Sequence, residues 1–258
     1  MKKTLISLAV AASAIASGSA MAWQANGRGG TVELSGTLTP VELVTPWEVK
    51  MGDAVSGLNT QIKKGQKETV IPVKHPIPVL GIRTRDKVGF HGDVGIAPQI
   101  DFHGNADFEH STASLATLSL EVKDKKKGAK IGTMTTNILA GSIVSSSASG
   151  SGFVVAPKPG QAFYGGIAPS IDGSQTRGVI SGLQHIFGHE LVANFSDQGG
   201  GPHGPASETF TNKQATYSAY YGAGIDAGQS IKISLDRRVE GDEPIEWHAS
   251  LPVTVSYQ

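Results

Sequence analysis

The chain has 258 residues, no cysteine, 22 basic against 22 acidic side chains, 33 glycines and 13 prolines. That balance offers no basic face of the kind a nucleic-acid binder needs, and without disulfides the fold must be held by core burial or by a partner. A chain of this length can bury about 70–75% of its unfolded surface, and its richness in glycine and proline favours an all-β reading.

The first 22 residues have the three-part layout of a secretory signal peptide: basic Lys2 and Lys3, an apolar stretch from Leu5 to Ala16, and small residues at Ala20 and Ala22. The apolar run is too short to serve as an anchor, since spanning takes about 20 residues. The expectation is export, with a mature chain that starts at Trp23.

Beyond a glycine-rich lead, Gly27-Arg28-Gly29-Gly30, an alternating segment places Val32, Leu34, Gly36 and Leu38 on one face. An arm of this kind can add to another protein's sheet, or pair within its own domain. Short strands are predicted at Thr69–Val73 and Val79–Ile82, and a longer one at Ser114–Val122 with Leu118, Leu120 and Val122 on one side. Lys123–Gly128 reads as a charged hairpin turn leading into a strand at Lys130–Ile138. Ser145–Gly152 reads as a Ser/Gly-rich loop, and Gly199–Pro205 as a segment without regular structure. Between them, Val179, Ile180, Leu183, Ile186, Phe187 and Leu191 fall at helical spacing, which predicts one or two short helices within 177–195 packed on a sheet. A strand follows at Ser230–Leu235. The last strand carries the strongest pattern: Ile245, Trp247, Ala249, Leu251, Val253, Val255 and Tyr257 alternate with polar residues and Pro252. The whole reads as a sandwich or barrel.

No catalytic constellation is legible. His185 and His189 stand at i, i+4, but the zinc-protease pattern is not met. Asp101, His103, Asn105 and Asp107 open like a calcium loop, yet Ala106 and Thr112 occupy the positions that need Gly and Glu. The reading is therefore no enzyme, no metal and no cofactor.

Taken together, several motifs carry a resemblance. They are the leader Met1-Lys2-Lys3-Thr4-Leu5-Ile6, the 30–38 arm, Trp47-Glu48-Val49-Lys50-Met51-Gly52, Phe163-Tyr164-Gly165-Gly166, the glycine-bearing run from Tyr221 to Ile231, and the ending from Trp247 to Tyr257. In these the chain resembles the FaeG family, the K-eighty-eight type of chaperone–usher fimbrial subunit, major or minor. The resemblance implies an incomplete immunoglobulin-like sandwich that lacks its final strand, with a small inserted helical subdomain near 158–212. It implies an N-terminal donor arm at 23–40 and a pilin domain at 41–258. Val32, Leu34, Gly36 and Leu38 would be the donor positions. Trp247, Ala249, Leu251, Val253, Val255 and Tyr257 would wall the acceptor groove and contact the chaperone. The implied partners are a periplasmic chaperone, an outer-membrane usher, neighbouring subunits and host glycoconjugates, with no nucleic acid; Tyr164, Phe187 and His203 are the candidate receptor surface. The implied route runs through the periplasm to a surface fimbria that supports attachment to host cells. A free secreted carbohydrate-binding β-sandwich and a periplasmic hydrolase are the competing readings.

Overall fold

The computed structural model describes residues 32–39, 44–172 and 178–258; the predicted signal peptide and residues 23–31 lie outside them. Two units are distinguished, Met1–Leu43 and Val44–Gln258. In the first, the described residues 32–39 have no regular secondary structure.

The second unit is all-β with a small helical insert. Its strands are β1 (Trp47–Met51), β2 (Glu68–Pro72), β3 (Ile77–Thr84), β4 (Phe90–His91), β5 (Pro98–Asp101), β6 (Ala106–Thr112), β7 (Leu115–Asp124), β8 (Lys130–Ser146) and β9 (Gly150–Val154). After helix α1 (Gly178–Phe187) and a 3-10 turn at Gly188–Glu190 come β10 (Pro202–Ala206), β11 (Thr216–Ile225), β12 (Ser230–Leu235), β13 (Trp247–His248) and β14 (Thr254–Tyr257).

Strand β8, 17 residues long, organises the body. Its first half pairs with β7 on one side and β12 on the other, while its second half pairs with β9 and β11. Strands β2 and β3 follow β12 and β11 in the same way, β2 on β12 and β3 on β11. The chain breaks between β2 and β3 and between β11 and β12, while β8 continues through. A sheet bent at such a corner folds into two layers of a sandwich. Both halves send alternate residues inward to one core: Leu118, Leu120, Val122, Met134, Ile231 and Ile233 from one, Leu80, Ile82, Ala140, Val144, Ala219 and Tyr221 from the other. Each large side chain buried this fully contributes about 1.5–3 kcal/mol. An aromatic group closes one part of the core, with Trp47 and Phe90 ring centroids 4.9 Å apart and Trp47 Nε1 donating to the Ile96 carbonyl at 2.7 Å.

The outer face is finished differently in its two halves. Along the first half of β8 buried and half-buried residues alternate, whereas Ile138–Ser146 is buried on both faces. The cover is α1, whose Val179, Leu183 and Ile186 pack with Leu139, Ile143 and Tyr220. The close approach depends on glycine. Gly81, Gly222 and Gly141 face one another across β3, β11 and β8. A Cβ at Gly222 would come within 2.9–3.0 Å of Leu183, Leu191 and Phe187, and one at Gly141 within 2.3 Å of Val179. Burial of Tyr220 in this interface pushes its phenol up to about 12.

The structure corrects four expectations. Ser145–Gly152 is not a long loop: β8 runs to Ser146 and turns tightly into β9, since small serines and glycines suit a strand covered on both faces. Gly199–Pro205 is not wholly irregular: from Pro202 it forms β10, parallel to β9 at a sheet end, where a proline's missing N–H removes nothing from the ladder. Val32–Thr39 is not a strand in this structure, because alternation needs a sheet to pair with. Ile245–Tyr257 is not one continuous strand: only β13 and β14 are paired.

Candidate functional site

Between β13 and β14, the stretch Ala249–Val253 has no ladder partner among the described residues. Its alternation nevertheless holds: Trp247, Ala249, Leu251, Val253, Val255 and Tyr257 are half-buried against the core, and the residues between them are exposed. The ends are anchored. Lys125 N–H donates to the Glu246 carbonyl at 2.9 Å, and Gln258 exchanges two backbone bonds with Ala97 at 3.0 and 3.1 Å. The segment is thus extended, fixed at both ends, and unpaired in the middle.

A second irregular segment, 52–64, leads from β1 towards β2. Among the described residues, the one backbone–backbone bond donated within 53–62 runs from the Asn59 N–H to the Gly57 carbonyl, 2.8 Å. Hydroxyls hold this segment on β2: Thr60 Oγ1 donates to the Val70 carbonyl at 3.1 Å and Thr69 Oγ1 to the Gln61 carbonyl at 2.9 Å. An ion pair between Lys64 and Asp242 ties it to the C-terminal segment.

Both segments line one open groove of about 1250 Å3. Its floor includes Leu118, Leu120, Val122, Met134, Ile231 and Ile233, the inner residues of β7, β8 and β12. The combination is an apolar groove over the sandwich core, its floor side chains 0–6% exposed, between two extended backbones with spare hydrogen-bonding groups. Such a place accepts an extended strand: alternate side chains enter the groove and the backbone completes the ladders.

Val32, Leu34 and Leu38 of the arm are 82%, 93% and 98% exposed. Nothing lies within 4 Å of a Cβ built on Gly36. Within the N-terminal unit, then, the alternating apolar face is fully solvent-facing.

The three residues expected to form a receptor surface lie on three different parts of the fold. Tyr164 is half-buried against the main core, and its carbonyl accepts from the Ile100 N–H at 2.8 Å. Phe187 ends α1 and packs in the other cluster. His203 sits on β10, with Nδ1 2.6 Å from the Gly204 carbonyl oxygen. Among the described residues no hydrogen bond or ring contact joins them. Phe187 instead lines a cavity of about 390 Å3 with Glu48, Lys50, Gly81, Arg83 and Glu190. There Lys50 Nζ meets Glu190 Oε2 at 2.8 Å, and Arg83 Nε meets Glu48 Oε2 at 2.7 Å. The Lys50 hydrogen bond, followed by its charge, holds the Glu190 carboxyl below the usual range. Sequence reading missed this cluster because strands β1 and β3 contribute charges that look like ordinary exposed residues. His185 Nδ1 lies 2.6 Å from Asp226 Oδ1; among the described residues no group of three His, Cys, Asp or Glu could hold a metal ion. No described helix is long and apolar enough to cross a membrane.

The family described as fimbrial, major and minor subunit, matches residues 1–258. The K88 fimbrial protein AB of Escherichia coli is 28% identical over 289 residues, covering 100% of both chains. The K88 fimbrial protein AC of the same organism is 28% identical over 292 residues, and its F41 fimbrial protein 24% identical over 283, again with 100% of both chains covered.

Proposed function

Since the chain belongs to the family of fimbrial major and minor subunits, we propose that this structural subunit enters its fibre by strand exchange. After export to the periplasm, a chaperone lends a strand to the groove between 52–64 and 241–253. At the outer-membrane usher the arm of the next subunit, residues 23–40, replaces it. Val32, Leu34 and Leu38 then fill the groove, and Gly36 passes where space is smallest. The observation that carries this reading is the open groove itself: an apolar core, two unpaired backbones, and an exposed alternating arm elsewhere in the same chain.

The magnitudes are adequate. Three large side chains at about 1.5–3 kcal/mol each give on the order of 5–9 kcal/mol before ordering costs. Ladder bonds add about 0.5–1.5 kcal/mol apiece. That suffices for slow exchange in a chain with no covalent cross-link. Deleting residues 23–40 and co-expressing the remainder with its chaperone tests the proposal. The truncated subunit is expected to purify as a soluble chaperone complex and to yield no polymer; fibres from the truncated chain would refute it.

Adhesion to host glycoconjugates is the second part of the proposal. Support for it comes from the exposed helical insert and the charged, aromatic-bearing cavity beside it. Glycan-array binding by purified fibres, compared with fibres lacking this subunit, tests that part separately.

A further inference from the structure

The sheet has three notable edges, and they are protected unequally. At one end β10 carries Pro202 and Pro205, which present no N–H to a partner. Beside β12, β2 is engaged along its edge by Thr60 and Gln61. Strand β1 ends the sheet on the far side of β3, and among the described residues its outer backbone edge makes no hydrogen bond. Its Val49 is 43% exposed, with Glu48 and Lys50 side chains 45% and 64% exposed on either side.

Charged residues on an edge strand usually discourage pairing. Here the charges are opposite and stand symmetrically about Val49, and each keeps an ion pair in its own chain, Glu48 with Arg83 and Lys50 with Glu190, so a second copy adds to these pairs. In an antiparallel pair centred on Val49, residue 48 faces residue 50 of the second copy, so each glutamate meets a lysine twice over. A parallel pair, or one shifted by two residues, loses this match. The pattern thus favours one arrangement of one partner.

We propose that β1 is a self-pairing edge, through which subunits of two neighbouring fibres join by antiparallel β1–β1 contact. Such a contact is isologous. One five-residue contact is weak, but repetition along a fibre gives avidity. The pairing centres on Glu48–Lys50, none of which lines the acceptor groove, although Met51 at the end of β1 does.

The test uses purified fibres of the full chain in low-salt buffer, scored for side-by-side bundles by electron microscopy and for the fraction that pellets at low speed. Wild-type fibres are expected to bundle and to disperse as salt rises. Lys50→Glu alone, or Glu48→Lys alone, places like charges face to face and should cut the pelleted fraction about tenfold. Mixing the two variant fibres should restore bundling, because each then faces its complement; the double swap Glu48→Lys/Lys50→Glu should restore it as well. If a charge reversal blocks fibre assembly by disturbing Arg83 or Glu190, Lys50→Gln and Glu48→Gln replace it, with the same direction expected. Wild-type fibres that stay single at low salt would overturn the proposal. Bundles indifferent to both single variants, or a mixture that stays dispersed, would overturn it too.

Discussion

Under α1 the outer face of the sheet is sealed by side chains seated over a row of three glycines, while the inner face along 52–64 and 241–253 opens to solvent over a core of the same apolar residue types. The sealed side holds its own partner in the same chain, ten residues of helix matched to the absence of three Cβ atoms. The open side has an extended segment fixed at both ends and nothing in the middle. The contrast teaches that an unpaired segment need not be an untethered one: backbone bonds and an ion pair hold the walls of the groove at their ends.

The largest expected effect lies on the open side. Leu34→Asp would bring a carboxylate into the groove, where an unpaired buried charge is prohibitive. Incorporation into fibres should be lost altogether, read by immunogold labelling, while the chaperone complex still forms because the arm takes no part in it. Normal labelling would mean that Leu34 does not enter the groove.

On the sealed side the effect should be graded. Gly222→Val forces a branched side chain among Leu183, Leu191 and Phe187 and should cost about 1–3 kcal/mol. Hydrogen exchange should rise across Gly178–Phe187 while the β7–β8 ladder stays protected. Equal loss in both would show that the helix and the sandwich fold as one unit and would blunt the contrast drawn above.

The smallest effect is a titration. Tyr220 is neutral in the folded state up to about 12, against an ordinary tyrosine near 10. A raised value means the folded state keeps a proton that the unfolded state gives up. The stabilising contribution is therefore whole below pH 10 and is lost as pH climbs from there towards 12. Ultraviolet titration should show a late phase that disappears in Tyr220→Phe. If that variant keeps the phase, the buried Tyr221, which burial also raises, is its source.

Much of this was legible in sequence, for reasons that differ by region. Strand β12 coincides with its predicted range, because Ile231, Ile233 and Leu235 alternate against a solvent-facing side. The helix was legible because α1 is amphipathic, even with Gly178 and Gly182 in it. The second half of β8 was not: Leu139-Ala140-Gly141-Ser142-Ile143-Val144-Ser145-Ser146 is buried on both faces, so no period of two survives, and the small residues resemble a loop. β10 was hidden by its prolines and glycines, which a parallel end strand tolerates. At the candidate site, the positions on Trp247–Tyr257 are half-buried in the alternation expected of them, but the other wall, 52–64, carries no periodic signal. That segment lies outside any ladder among the described residues and has no strand period to show.

The continuity of β8 has a mechanical meaning. Most sandwiches resist separation of their layers by side-chain packing alone, which peels apart a contact at a time. Here one unbroken backbone of 17 residues belongs to both layers and is flanked by a ladder on each side. A pull that tends to slide one layer past the other loads those ladders in shear, where many bonds must yield together. For a subunit of a fimbria, that strand is the tendon.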